Sequence, residues 1–157
     1  MVSLVIRELQ PGDEIPLIQL GREMWEESEN FSRHPLNEEK LKQLAMVVHT
    51  SDVLACFVAD NDDGPQGIWV GCVQPLWYSN DLSVSDIVFY VRKKYRGSSA
   101  ALRLLKSAEN WSREVGATEI NIGLSSGIDT ERTTCFFNKL SYVYKAVQMT
   151  KEINNVF

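Results

Sequence analysis

The order of strand and helix signals along the chain predicts an α/β fold: one mixed, mainly antiparallel central sheet flanked by helices. Three observations predict it. Apolar runs of strand length lie at Asp52–Asp60, Gly67–Tyr78 and Ser83–Val91, and the first two are joined by the strong turn Asn61-Asp62-Asp63-Gly64-Pro65, which makes them a hairpin. Helical periodicity appears before this block and again after it. The strand–helix–strand unit from Ser83 to Leu124 needs a crossover, so its two strands should be parallel and right-handed.

The elements follow in order. Residues 3–8 read as a short strand, and Pro11-Gly12-Asp13 turns the chain, with Asp13 as N-cap of a first helix. Leu17, Gly21 and Met24 share one face of that helix, beside Ile18 and Trp25. After the irregular, polar stretch Glu26–Leu36, a second helix starts at Asn37 and carries Leu41, Leu44, Ala45 and Val48 at helical spacing. The run Asp52–Asp60 has the continuous apolar character of a strand buried on both faces. Ser98–Glu114 is amphipathic, with Ala101, Leu104, Leu105, Ala108 and Trp111 on one face and Gly116 placed to end it. Ala117–Leu124 reads as a strand, Asp129 as the cap of a helix to Leu140, and Tyr142–Glu152 as a closing strand of alternating character.

The 157 residues suit one domain, 1–157, with a single core. Apolar content of 44% and charged content of 24% exclude collagen-like and wholly disordered chains, and no apolar run is long enough for a transmembrane helix. The start of the sequence lacks the pattern of a secretory signal. A net charge of −5 argues against nucleic-acid binding. Cys56, Cys72 and Cys135 are odd in number, far apart and in apolar surroundings, so they read as reduced core thiols of a cytoplasmic protein. His34 and His49 are the only histidines. They give neither metal spacing nor a serine triad, and no metal is expected.

The most informative stretch runs from Val91 to Lys106: a strand end, the turn Arg96-Gly97-Ser98-Ser99-Ala100-Ala101, and a helix start. Unpaired amides at a helix N-terminus favour an anion, and small residues let a phosphate approach the backbone. Neither a Walker loop nor a dinucleotide fingerprint is present, and the turn by itself is equally compatible with a tight connection that binds nothing. Charge is concentrated here. Arg92, Lys93, Lys94, Arg96, Arg103 and Lys106 fall in a segment without any acidic residue; removing these six from 16 basic residues leaves 10 against 21 acidic in the rest of the chain.

Tyr95–Ala101 resembles the acyl-CoA loop of the GNAT superfamily of N-acetyltransferases, Q/R-x-x-G-x-G/A. Arg96 fills the first position and Ala101 the last, while Ser99 stands where the middle Gly is usual. Ser85–Val91 resembles the family's fourth strand, and Cys135–Tyr142 is similar to its late F-Y-E-K-L-G-F segment. Small phage-encoded members have a similar look. The resemblance implies a sheet splayed between strands four and five, where acetyl-CoA binds. Phe89, Tyr90 and Val91 would pair with the pantetheine arm like an added strand. The amides of Arg96, Gly97, Ser98, Ser99, Ala100 and Ala101 would hold the pyrophosphate, helped by one or two of Arg92, Lys93, Lys94 and Arg103. Thr130, where many relatives have Asn, and Phe137 would face the arm.

The implied chemistry is direct attack of a primary amine on the thioester in a ternary complex. Asp86 on strand four is the expected base. The family's usual Tyr acid is replaced by Phe137, leaving Cys135, Ser125, Ser126, Tyr142 or solvent as proton sources. Glu26 and Glu27 after the first helix, with Trp77 and Tyr78 at the end of strand three, are the expected acceptor contacts. Such a pocket would suit a cationic amine among small-molecule or peptide acceptors. A homodimer is a further expectation. Two other readings compete: a catalytically silent acyl-CoA-binding or protein-interaction module on the same fold, and a phosphate-binding domain of unrelated fold.

Overall fold

The computed structural model describes residues 3–153. Five strands form one sheet in the order β1 (Val5–Glu8), β2 (Leu54–Asn61), β3 (Gly64–Pro75), β4 (Leu82–Val91) and β5 (Ala117–Asn121). Four α-helices accompany them: α1 (Glu14–Glu27), α2 (Glu38–Val48), α3 (Ala100–Glu114) and α4 (Thr130–Lys139). The first four strands are antiparallel to their neighbours, and β4 and β5 are parallel across the α3 crossover, as the sequence predicts.

Each face of the sheet carries its own apolar cluster. On one side Leu17 and Leu20 of α1 and Ala45 of α2 pack on Cys56, Val58, Ile68, Val70 and Tyr90. On the other, Ala100, Leu104 and Ala108 of α3 pack on Ala59, Trp69, Val84 and Val91. This two-sided cover explains why β2 and β3 are apolar at nearly every position. Trp69, fully buried, lies so close over Gly71 that a β-carbon there would sit 2.2 Å from its ring. Only glycine allows that overlap.

Three expectations need correction. Asp129 precedes α4 in a left-handed conformation, φ 44°, and makes no side-chain cap. Asp13 precedes α1 but makes no side-chain cap. Its carboxylate is committed to Arg7, at 2.7 and 2.9 Å, and to the Gln10 N–H, at 2.8 Å. A paired guanidinium is the stronger partner for a carboxylate that is largely shielded from water. Tyr142–Glu152 forms no strand. Alternation describes a surface suited to a sheet, but a strand also requires a neighbour with which to share its ladder, and this segment pairs with none among the described residues.

The cysteines divide by environment. Cys56 is buried, and desolvation pushes its thiol up to about 12, whereas Cys72 is half-buried and Cys135, expected in the core, is exposed on α4. Among the described residues no helix is long and apolar enough to cross a membrane.

Candidate active site

The pairing of β4 with β5 is short. It runs from Leu82 opposite Ala117 to Ser85 opposite Asn121, and beyond it the outer edge of β4 from Asp86 to Val91 has no strand partner among the described residues. Asp86 is the first residue past the last pair. Its Oδ1 accepts the Gly123 N–H at 2.8 Å, so a side chain bridges the gap where the backbone ladder stops. Burial raises the Asp86 carboxyl above the ordinary carboxylate range, and the Gly123 N–H opposes that rise.

A bulge shapes this stretch. Val70 pairs with Val88 and Gly71 with Asp86, which leaves Ile87 as an extra residue on β4. Four residues apart in a regular strand, Val84 and Val88 would share a face. Here Val84 belongs to the α3 side and Val88 packs on the α1–α2 side. The bulge reverses the alternation just beyond Asp86 and sets Phe89 towards α3 and Tyr90 towards α1.

After Val91 the chain makes a one-turn 3-10 helix at Lys93–Tyr95 and enters α3 at Ala100. Gly97 has φ of 89°, a left-handed conformation natural to glycine. The amides of this turn alternate in use. Those of Arg96 and Ser98 donate to the carbonyls of Lys93 and Tyr95, and that of Ala100 to Ser98 Oγ. Those of Gly97, Ser99 and Ala101 have no protein acceptor among the described residues. The donors left free in this turn are therefore alternate amides rather than all six. Ala100 turns its side chain into the core, while Gly97, Ser98 and Ser99 are exposed.

The arginines of the turn are largely committed to the protein itself. Arg92 binds Glu23 of α1 at 2.8 and 3.0 Å, and also Gln66. Arg96 binds both carboxylate oxygens of Glu27, which also accepts from the Tyr90 hydroxyl at 3.0 Å. Arg96 holds the Glu27 carboxyl below the usual carboxylate range, with Tyr90 adding to the effect. Arg103 donates to the Leu4 carbonyl. Glu23 and Glu27 lie four apart on one face of α1, so the two ion pairs are successive rungs between α1 and the turn. Glu27, expected at the acceptor, is thus tied to the turn before α3.

Sequence reasoning missed Arg132. A β-carbon at Gly97 would lie 3.5 Å from its Nη2, and it makes no ion pair among the described residues. A cation in the first turn of a helix opposes the helix dipole, and that is the signal the sequence offered. Thr130 and Cys135 line the same surface groove. Phe137, 6% exposed, meets Phe89 edge-on with ring centres 6.1 Å apart, and so closes the α4 side of the splay. Tyr142 packs against Phe137, but its hydroxyl donates to Glu109 at 2.9 Å.

The acceptor residues are not brought together. Glu26 is exposed beside Glu23, Glu27 and Lys93. Trp77 and Tyr78 lie beyond the end of β3, in the turn to β4, at the opposite end of that ten-residue strand from Arg96. Another link that sequence reasoning missed joins the loop after α1 to the loop after β5. Ser28, fully buried, donates to the Ser126 carbonyl at 2.6 Å, and Asn30 donates to that of Ser125 at 3.0 Å. These two contacts join the end of α1 to the loop after β5.

A mixed five-strand sheet with a bulged fourth strand, a short parallel β4–β5 pairing and α3 as the crossover between them is the GNAT fold. Solved structures share it along the length of the chain. A GNAT family acetyltransferase from Staphylococcus aureus aligns with TM-score 0.66 and 17% identity, over 96% of this chain and 99% of that one. AAC(6')-Iy in complex with the bisubstrate analogue CoA-S-monomethyl-acetylneamine aligns with TM-score 0.76 and 15% identity, over 97% and 99%. A transcriptional regulator from Bacillus halodurans aligns with TM-score 0.76 and 14% identity, over 96% and 100%. No family model and no curated protein matches the sequence.

Proposed function

We propose that this chain is an acetyl-CoA-dependent N-acetyltransferase acting on a primary amine. The observation that carries the reading is the unpaired edge of β4, which leads from Asp86 to the free amides of Gly97, Ser99 and Ala101. These groups fit coenzyme A. The edge from Phe89 to Val91 offers strand-like hydrogen bonds to the pantetheine amides, and the turn offers N–H donors to the pyrophosphate. Lys93, Lys94 and Arg132 supply charge, because Arg92 and Arg96 are neutralised by Glu23 and Glu27. Thr130 and Phe137 flank the arm. The bound coenzyme supplies the acetyl thioester and the thiolate leaving group.

The chain's own residues do the rest. Asp86 takes the ammonium proton, directly or through water, and its raised carboxyl makes it a better base. The Gly123 N–H holds one of its oxygens and leaves the other for the proton. Phe137 has no proton to give and the Tyr142 hydroxyl is occupied by Glu109, which leaves Cys135, Ser125, Ser126 or solvent as the source of the proton that the leaving group would need. Glu26, exposed beside the mouth, favours a cationic acceptor, from small amines to peptides. Three unpaired cysteines support a cytoplasmic location. A second reading, a silent acyl-CoA-binding or protein-interaction module, is favoured by Phe137 and by the regulator that shares the fold.

Calorimetry with acetyl-CoA, followed by thiol release across a panel of amines and peptides, tests both. Binding with turnover is expected. Binding without turnover on any acceptor moves the assignment to the silent module, and absence of binding removes both.

A further inference from the structure

The end of α1 is bonded to both arms of the splay. Glu27 accepts from Arg96, in the turn that follows β4, and from the Tyr90 hydroxyl on β4 itself. Ser28, the next residue, bonds to the other arm. It is fully buried, and its hydroxyl donates to the Ser126 carbonyl in the loop after β5 and accepts the Phe31 N–H at 3.1 Å. Its own N–H donates to the Met24 carbonyl, and its carbonyl accepts from Ser32. Every polar group of Ser28 is thus used, one of them across 98 residues of chain. A buried hydroxyl with both roles filled fixes two segments against each other. Asn30 adds its bond to Ser125 and lies against Gly127, where a β-carbon would come within 2.8 Å of Nδ2.

The loop that receives these bonds is tightly held. The Gly127 N–H donates to the Leu124 carbonyl and the Ile128 N–H to Ser126 Oγ, both at 3.3 Å, and Ile128 packs on the α1–α2 side of the sheet. At its start stands Gly123, whose N–H holds Asp86. Burial, that N–H and the N–H of Asp86 itself set the environment of the carboxyl. We infer that Ser28 is a positioning residue for Asp86: with Asn30 it fixes the loop 123–128 against α1, and so fixes the Gly123 N–H that holds the carboxyl. Residues 27–30 then form one clasp between the turn before α3 and the group expected to take the proton. The bearing of this clasp on catalysis rests on the acetyl-transfer reading above; the placement of the carboxyl does not.

Nuclear magnetic resonance on the full chain tests the placement without any substrate, because the Gly123 amide proton reports ionisation of the carboxyl it bonds. Ser28→Ala should move the midpoint of that titration upward, since a loosened N–H no longer favours the charged form. Asn30→Ala, at an exposed position, should do the same and keeps the test open if Ser28→Ala does not fold. Arg22→Ala, which breaks an exposed ion pair between α1 and α2 outside the clasp, should leave the midpoint in place. Turnover is the second readout. Ser28→Ala should lower kcat about tenfold or more while acetyl-CoA affinity stays within about threefold, because Glu23 and Glu27 still hold the turn before α3. In an Asp86→Asn background the same substitution should cost less than about twofold, since the group it places is gone. A Gly123 midpoint that stays put in both variants, or that moves as far with Arg22→Ala, overturns the inference. So does a Ser28→Ala loss of equal size with and without Asp86. If the parent chain turns over no amine, the acetyl-transfer reading falls and the Gly123 titration alone decides.

Discussion

Arg96 binds both carboxylate oxygens of Glu27, 69 residues earlier, and Tyr90 donates to the same carboxylate. With the Arg92–Glu23 pair one helical turn away, this ties α1 to the turn before α3. The turn before α3 is therefore shaped by a helix far from it in the chain, and the charges of Arg92 and Arg96 are balanced by Glu23 and Glu27.

Glu27→Gln should destabilise the fold by about 1–2 kcal/mol, the lower part of the range for hydrogen bonds to a charged group because the pair is partly exposed. The pH dependence identifies the cause. The Glu27 carboxyl is depressed below 4.5 in the folded state, so its contribution is full above that value and is lost as pH falls through the folded one. Denaturant unfolding of Glu27→Gln at neutral and acidic pH should show the gap to the unmodified chain closing on acidification. A constant gap would mean that packing, not the ion pair, was lost.

Asp86→Asn should reduce turnover by about 10²–10⁴-fold while leaving acetyl-CoA affinity within a few-fold. The carboxyl is raised above 3.8 by burial, so ionising it costs stability once pH exceeds that value, and the cost is complete above the folded pKa. The Asn variant should thus be slightly more stable than the parent at neutral pH, by thermal unfolding. In the parent, kcat/KM should rise with pH through the raised value. Retention of full turnover by Asp86→Asn would assign the base elsewhere.

Ser99→Glu should weaken acetyl-CoA binding by about 100-fold or more, since it places a carboxylate beside the free amides of the turn. Calorimetry measures it, with unfolding as the control for an intact fold. Unchanged affinity would move the phosphate site away from this turn.

Arg132→Ala should weaken acetyl-CoA binding about tenfold at low salt, and less at high salt, where exposed charges are screened. Its thermal midpoint should not fall, because Arg132 makes no ion pair among the described residues and its charge opposes the dipole of α4. Binding measured at two ionic strengths checks this role, and the loss of Lys93 and Lys94 should add to it rather than replace it.

Much of this was legible in the chain. Local patterns set the helices and the hairpin: Leu41, Leu44, Ala45 and Val48 recur at helical spacing, Asn61–Pro65 turns β2 into β3, and Gly97 with its small neighbours marks the turn into α3. Each is a property of residues close in sequence, where propensity and periodicity act directly. The positions of Asp86 and Phe137 were legible through the family likeness of their segments. What only the tertiary structure decided are relationships between distant residues. Glu27 has the position of an acceptor carboxylate and pairs with Arg96. Trp77 and Tyr78 are expected beside it and lie at the far end of β4. Asp13 has the place of a cap and pairs with Arg7. Arg132 has no local motif to mark it and faces Gly97. Tyr142–Glu152 has the alternation of a strand and no partner for one among the described residues. The physical reason is the same in every case. A charge or a strand edge is satisfied by whichever partner the fold brings within hydrogen-bond reach, and a one-dimensional pattern specifies the need for a partner without specifying which one answers it.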